Sequence, residues 1–163
     1  MQKQKIYVKR QKQGFGEPGI TSLCRRAVKA TLQEEKVECP VEVDVLLSND
    51  KGIAEINEEH RNKAEATDVL SFPTGNYIPG NFQADMADLN PETGCIHLGD
   101  IVLSNERAVR QAKQYGHASN REIAYLMVHA TLHLLGYDHQ TDAEKENMRA
   151  KEERILETLG LMR

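Results

Sequence analysis

The chain has 163 residues, of which 39% are hydrophobic and 28% charged, and carries a formal net charge of -4. A chain of this length buries ~70% of its unfolded surface as a single domain, and the composition excludes a disordered chain, a collagen and a disulfide-stapled miniprotein. No apolar run approaches the ~18 residues needed for a membrane span, and the start, Met1-Gln2-Lys3-Gln4-Lys5, leads into no signal-peptide stretch, so a soluble cytoplasmic protein with no membrane partner is expected.

Ile6 and Val8 alternate with polar neighbours and predict a strand at about 4 to 11. Behind Pro18, the residues Ile20, Leu23, Cys24, Ala27, Val28 and Thr31 recur at three- and four-residue steps, which predicts a helix at about 19 to 35. Val41, Val43, Val45 and Leu47 form a half-buried strand, after which Asn49 or Asp50 caps a short helix to about Arg61. Thr67 to Pro73 reads as a short strand stopped by proline. From Pro73 to Gly94 no period is visible, and a connection that long is either a lid or binding loop or a plain insertion.

Cys95 to Leu103 is then a strand, and Ser104 caps a helix closing at Gly116. Ser119-Asn120-Arg121-Glu122 has the capping-box pattern for a helix with its buried stripe on Ile123, Leu126, Met127, Ala130 and Leu134. Thr141-Asp142-Ala143-Glu144 repeats that signature for a last helix ending near Leu159 and Gly160. The order predicts a single α+β domain over residues 1–163, with a mixed sheet of about four strands and about five helices.

Three of the six histidines fall within eleven residues, His129-Ala-Thr-Leu-His133-Leu-Leu-Gly136-Tyr-Asp138-His139. A four-residue step puts His129 and His133 on one helix face, and Gly136 lets the chain leave the helix in a left-handed turn and bring His139 back to the same point. Three imidazoles with an open fourth position are the donor set of a catalytic zinc, which lowers the pKa of a bound water to ~7. His60, His97 and His117 have no comparable spacing and suit surface or locally hydrogen-bonded roles. Cys24, Cys39 and Cys95 are widely spaced and suggest neither disulfides nor a thiolate metal cluster.

The histidine and glycine spacing matches the metzincin protease pattern, but Ala130 stands where those enzymes carry the general-base Glu. Alanine cannot transfer a proton, so a reaction driven by charge stabilisation, such as phosphodiester cleavage, is the better fit. A metalloprotease taking its base from Asp138 or the 73 to 94 loop, and a non-enzymatic assembly factor with structural zinc, stand as the alternatives.

The sequence resembles the YbeY family of bacterial single-strand-specific metallo-endoribonucleases. The resemblance rests on His129 to His139, on Thr67-Asp68-Val69-Leu70-Ser71-Phe72-Pro73, on Leu98-Gly99-Asp100-Ile101, and on Asn57 with Arg61. It implies one zinc ion held by His129, His133 and His139, with Arg61 as the catalytic arginine. The implied work is maturation of the 16S rRNA 3′ end and ribosome quality control, with single-stranded RNA as substrate and the small ribosomal subunit and ribosome-assembly factors as partners. Asp138 has two readings, orienting a ligand ring or capping backbone amides, and Asp68 and Asp100 share that ambiguity. With a net charge of -4, RNA must be held locally, and the basic residues of the N-terminal strand and first helix are the expected place.

Overall fold

A computed structural model describes residues 4–63 and 65–161. Among them the order is β1 (Lys5–Arg10), α1 (Ile20–Glu34), β2 (Val41–Ser48), α2 (Asp50–Arg61), β3 (Val69–Pro73), β4 (Leu89–Asn90), β5 (Cys95–Ser104), α3 (Asn105–Tyr115), α4 (Ser119–Leu134) and α5 (Asp142–Thr158). This is a single α+β domain. None of the described helices is long and apolar enough to cross a membrane.

The sheet runs β1-β2-β5-β3, with β1, β2 and β5 parallel, β3 antiparallel to β5, and β4 also antiparallel to β5. Val41, Val43, Val45 and Leu47 of β2 are buried on every second position, as their alternation requires. Against this face lies α4, packed between α1, α3 and α5 and touching β3 and β5. Its near-continuous burial reflects its central place, since a helix surrounded by others has no solvent face to keep polar. The opposite face is covered by α2, through a small apolar cluster of Ile53, Leu70 and Val102.

Two expectations need adjustment. The mixed sheet is as expected, with one short strand more among the described residues, because the segment from 73 to 94, read without a period, contains β4 along with an isolated Ile78–Asn81 bridge and a 3-10 turn at Met86–Asp88. A two-residue strand carries too little sequence to show a period. Ser119 does not cap α4: the N-cap is Ala118, without a side-chain hydrogen bond, and Glu122 is buried instead of reaching back. The capping box at Thr141 and Glu144 does form.

Two local features carry the site. Asn49 accepts from Gly52 N at the start of α2, and Asp50 receives Ser104 Oγ (2.8 Å) and Arg107 Nε (3.2 Å), which ties α2 to the head of α3. The helix then ends at Arg61, with Asn62 in the left-handed region. In β5 the register against β2 skips Leu98, so the strand bulges just before Gly99. Gly99 has φ +149, and a Cβ there would lie 2.3 Å from Phe72 O, so only glycine lets β3 approach at this point.

Candidate metal centre

His129 and His133 lie one turn apart near the end of α4. Beyond it, Tyr137 N–H donates back to Leu132 O (3.0 Å), and Gly136 adopts φ +100 to allow this reversal. The returning chain is anchored by Tyr137, which is buried and donates its hydroxyl to Glu35 Oε1 (2.5 Å) beyond the end of α1, while Lys151 of α5 pairs with the same carboxylate (3.2 Å). Burial and this carboxylate push the Tyr137 phenol well above its ordinary range, so it remains a donor. From that anchor the chain delivers His139.

The three imidazoles converge. Each offers a ring nitrogen within 4.8 Å of the others', and the ring centroids are 4.7, 5.0 and 5.5 Å apart. Glu152 Oε2 lies 2.5 Å from His129 Nδ1, and Tyr137 O lies 2.8 Å from His133 Nδ1. Each partner is an acceptor, which assigns the proton to Nδ1 and leaves the Nε2 lone pair free for an ion. Burial and the neighbouring His129 lower the His133 pKa to about 4, so its ring is neutral and able to ligate at pH 7. The donor set therefore suits a borderline ion such as zinc. Among the described residues the grouping comprises these three histidines, so an ion held by them would keep a fourth position open.

These side chains line a cleft of about 600 Å³ that also receives Arg61, Asp68 and Tyr125. The guanidinium of Arg61 lies over the Phe72 ring (5.5 Å) and donates from Nη2 to Ser71 O (3.1 Å). The end of α2 and β3, distant in sequence from the histidine turn, thus bring Arg61 to the same cleft. Asp138 Oδ1 accepts from His139 N–H (2.8 Å) and Asp68 Oδ1 from Val69 N–H (2.7 Å), so both carboxylates hold backbone. Burial, with Glu152 nearby, pushes the Tyr125 phenol up to about 12, and it stays protonated beside His129.

The expected basic face is elsewhere. None of Lys5, Lys9, Arg10, Arg25, Arg26 or Lys29 lines this cleft, and β1 occupies the sheet edge opposite β3. Strand order, which local pattern does not contain, separates them. The remaining histidines are locally satisfied: His60 rests on Phe72, His117 meets Arg121 (3.3 Å), and His97 meets Glu42 (3.1 Å) with Asp44 and Asp100 both at 3.6 Å. Glu42, Asp44 and His97 form a second convergent group that spacing did not reveal, because β2 and β5 supply it across the sheet.

Two positioning groups escaped the sequence reading. Glu152 stands on the buried stripe of α5 among Met148, Ile155 and Leu156, and a carboxylate at an apolar position was the available signal. Tyr77 from the 73 to 94 segment closes on the turn, its carbonyl so near Gly136 that a Cβ there would lie 2.0 Å from it.

Comparison with known proteins places the chain in a family. Relatives named endoribonuclease YbeY include one from Acetivibrio thermocellus, 42% identical over 88% of this chain and 89% of its own, and one from Caldanaerobacter subterraneus subsp. tengcongensis, 45% identical over 89% and 90%. A third, from Roseiflexus sp., is 45% identical over 88% of this chain and 86% of its own. The solution structure of TM1509 from Thermotoga maritima shares the fold, with a TM-score of 0.58 at 20% identity, covering 94% of this chain and 91% of that one. Since the family model for endoribonuclease YbeY also matches residues 5–160, spanning the cleft and every element that builds it, the chain belongs to the YbeY endoribonuclease family.

Proposed function

We propose that residues 1–163 form one zinc-dependent, single-strand-specific endoribonuclease domain that matures the 16S rRNA 3′ end and serves ribosome quality control in the cytoplasm, working with the small ribosomal subunit and ribosome-assembly factors. The observation that carries the reading is the convergence of three imidazoles, two of them (His129 and His133) with Nδ1 occupied and Nε2 free, on a cleft that also receives an arginine, in a chain of this family.

His129, His133 and His139 would hold the ion. Bound there, zinc supplies a Lewis acid that polarises a phosphoryl oxygen or acidifies a water. Arg61 is the catalytic arginine: with Nη2 engaged by Ser71 O, its remaining N–H groups bind non-bridging phosphate oxygens and offset the charge that grows on them in the transition state. Phe72 beneath the guanidinium and the Ser71 carbonyl hold it in one orientation, so little is lost in reorganisation. Asp68 and Asp138, occupied by backbone amides, keep β3 and the histidine turn in place.

The test measures zinc content and cleavage of unstructured RNA for the wild type, His133→Ala and Arg61→Ala. His133→Ala is expected to lose both metal and cleavage. Arg61→Ala is expected to retain stoichiometric zinc and lose cleavage by 100-fold or more, roughly what loss of one transition-state donor costs. Full cleavage by Arg61→Ala, or by His133→Ala with its zinc intact, sinks the reading.

A further inference from the structure

Behind the metal cleft lies a second cavity, of about 750 Å³, a size that accommodates a small organic ligand. Asp68 and Tyr125 line both spaces, and Glu152, whose carboxylate touches His129, lines the second, so the two adjoin through one wall. A strand whose phosphate rests at the histidines therefore has an adjoining cavity open to one of its bases.

The lining decides what kind of group fits. Glu122 on α4 is 4% exposed, and its closest ionic partner, His117 Nε2, stands 3.9 Å from Oε2, beyond hydrogen-bond reach. Among the described residues its carboxylate receives no hydrogen bond. Arg121 beside it is 6% exposed and has an Nε without a partner. With Asp68, Glu122, Glu152 and Glu153 against Arg121 and Arg149, the lining carries more acid than base, which repels a phosphate. A neutral, planar group with N–H donors meets no such repulsion. At the rim Tyr115 is 64% exposed and offers a ring face for stacking.

We propose that this cavity receives one base of the bound RNA strand and favours bases that carry an exocyclic amino group, which donates to the Glu122 carboxylate, over uracil, whose one edge donor, N3–H, lies between two carbonyl oxygens that the carboxylate repels. The inference rests on the endoribonuclease reading for the source of the strand. Single-stranded RNA is read in this manner, by stacking on aromatic side chains and hydrogen bonds to base edges. Burial, then repulsion from Asp68, raises the Glu122 carboxyl above its ordinary range, and a donor arriving at that oxygen relieves the cost.

The test is equilibrium binding of fluorescent 2′-O-methyl decamers, which resist cleavage, to the zinc-loaded full chain. Oligo(C) is expected to bind about ten-fold more tightly than oligo(U), as loss of one hydrogen bond to a charged group predicts. Oligomers of N4-dimethylcytidine, which lack the amino donors, should fall to the oligo(U) value, and this arm does not depend on any variant folding. Glu122→Gln should bring the oligo(C) and oligo(U) affinities together. Equal binding of all three oligomers by the wild type overturns the proposal. Cleavage of the corresponding all-ribose oligomers is scored separately: cleavage without base preference removes the base pocket alone, and base preference without cleavage removes the endoribonuclease reading while the pocket stands.

Discussion

Replacing Glu152 by Gln removes a buried negative charge while keeping the side chain's size, and its effect separates metal affinity from fold stability. Glu152 is 4% exposed, and its carboxylate lies 2.5 Å from His129 Nδ1. A hydrogen bond to a charged acceptor contributes about 1.5–3 kcal/mol and a neutral one about 0.5–1.5, so the exchange weakens the support of His129 by roughly 1–1.5 kcal/mol. Because the carboxylate also raises the basicity of the ring nitrogen that would face the ion, zinc affinity should fall by about 10- to 100-fold. Stability of the metal-free protein should stay level or rise, since an ion in a poorly solvated place is replaced by a neutral group. Competition with a chromophoric chelator measures the first quantity, and thermal melts in excess chelator measure the second. Zinc affinity within two-fold of wild type, with an unchanged fold, would refute the argument. A parallel fall in both quantities would mean that Glu152 supports the α4–α5 packing rather than the ligand.

Gly136→Ala should destabilise by at least about 3 kcal/mol in urea denaturation, from the left-handed backbone and a Cβ 2.0 Å from Tyr77 O. Gly94→Ala, also at positive φ but with nothing within 4 Å, should cost only about 1 kcal/mol; equal costs would remove the steric part of the explanation. Zinc at 100 times its Kd should stabilise by about 2.7 kcal/mol and raise the Tm by roughly 5–10 °C, reversed by chelator. Insensitivity of the Tm to zinc would argue against a folded-state site. Cys24 is buried with its thiol pushed up to about 12 by burial, and Cys95 is also buried, so alkylation of the native protein should modify Cys39 alone, and slowly, because partial burial raises its thiol too. Rapid labelling of Cys24 would show that α1 opens readily from the core.

The histidine turn was legible because its geometry is local. One helical turn, one glycine and three residues beyond it suffice to aim three rings, and all of that lies within eleven consecutive positions. The strands and helices with long periodic patterns, such as β2 and α1, were legible for the same reason, since burial on one face repeats at a fixed step. The capping expectation at Ser119 failed because Glu122 is buried against the cavity that His117 and Arg121 also line, surroundings that the four-residue pattern does not contain. β4 went unseen because its two residues are strand only through pairing with β5.

Local pattern was enough for the three clustered imidazoles and the elements that carry them, along with the left-handed turn that Gly136 permits. Tertiary structure decided what surrounds that set. It brought Arg61 from the end of α2 into the cleft, set Glu152 of α5 behind His129, and closed the Tyr77 carbonyl over Gly136. It also carried the basic strand β1 to the far edge of the sheet. The reason is one of range: side-chain direction within an element follows from its own period, whereas the neighbours of an element follow from sheet order and helix packing, which are set by burial over the whole chain.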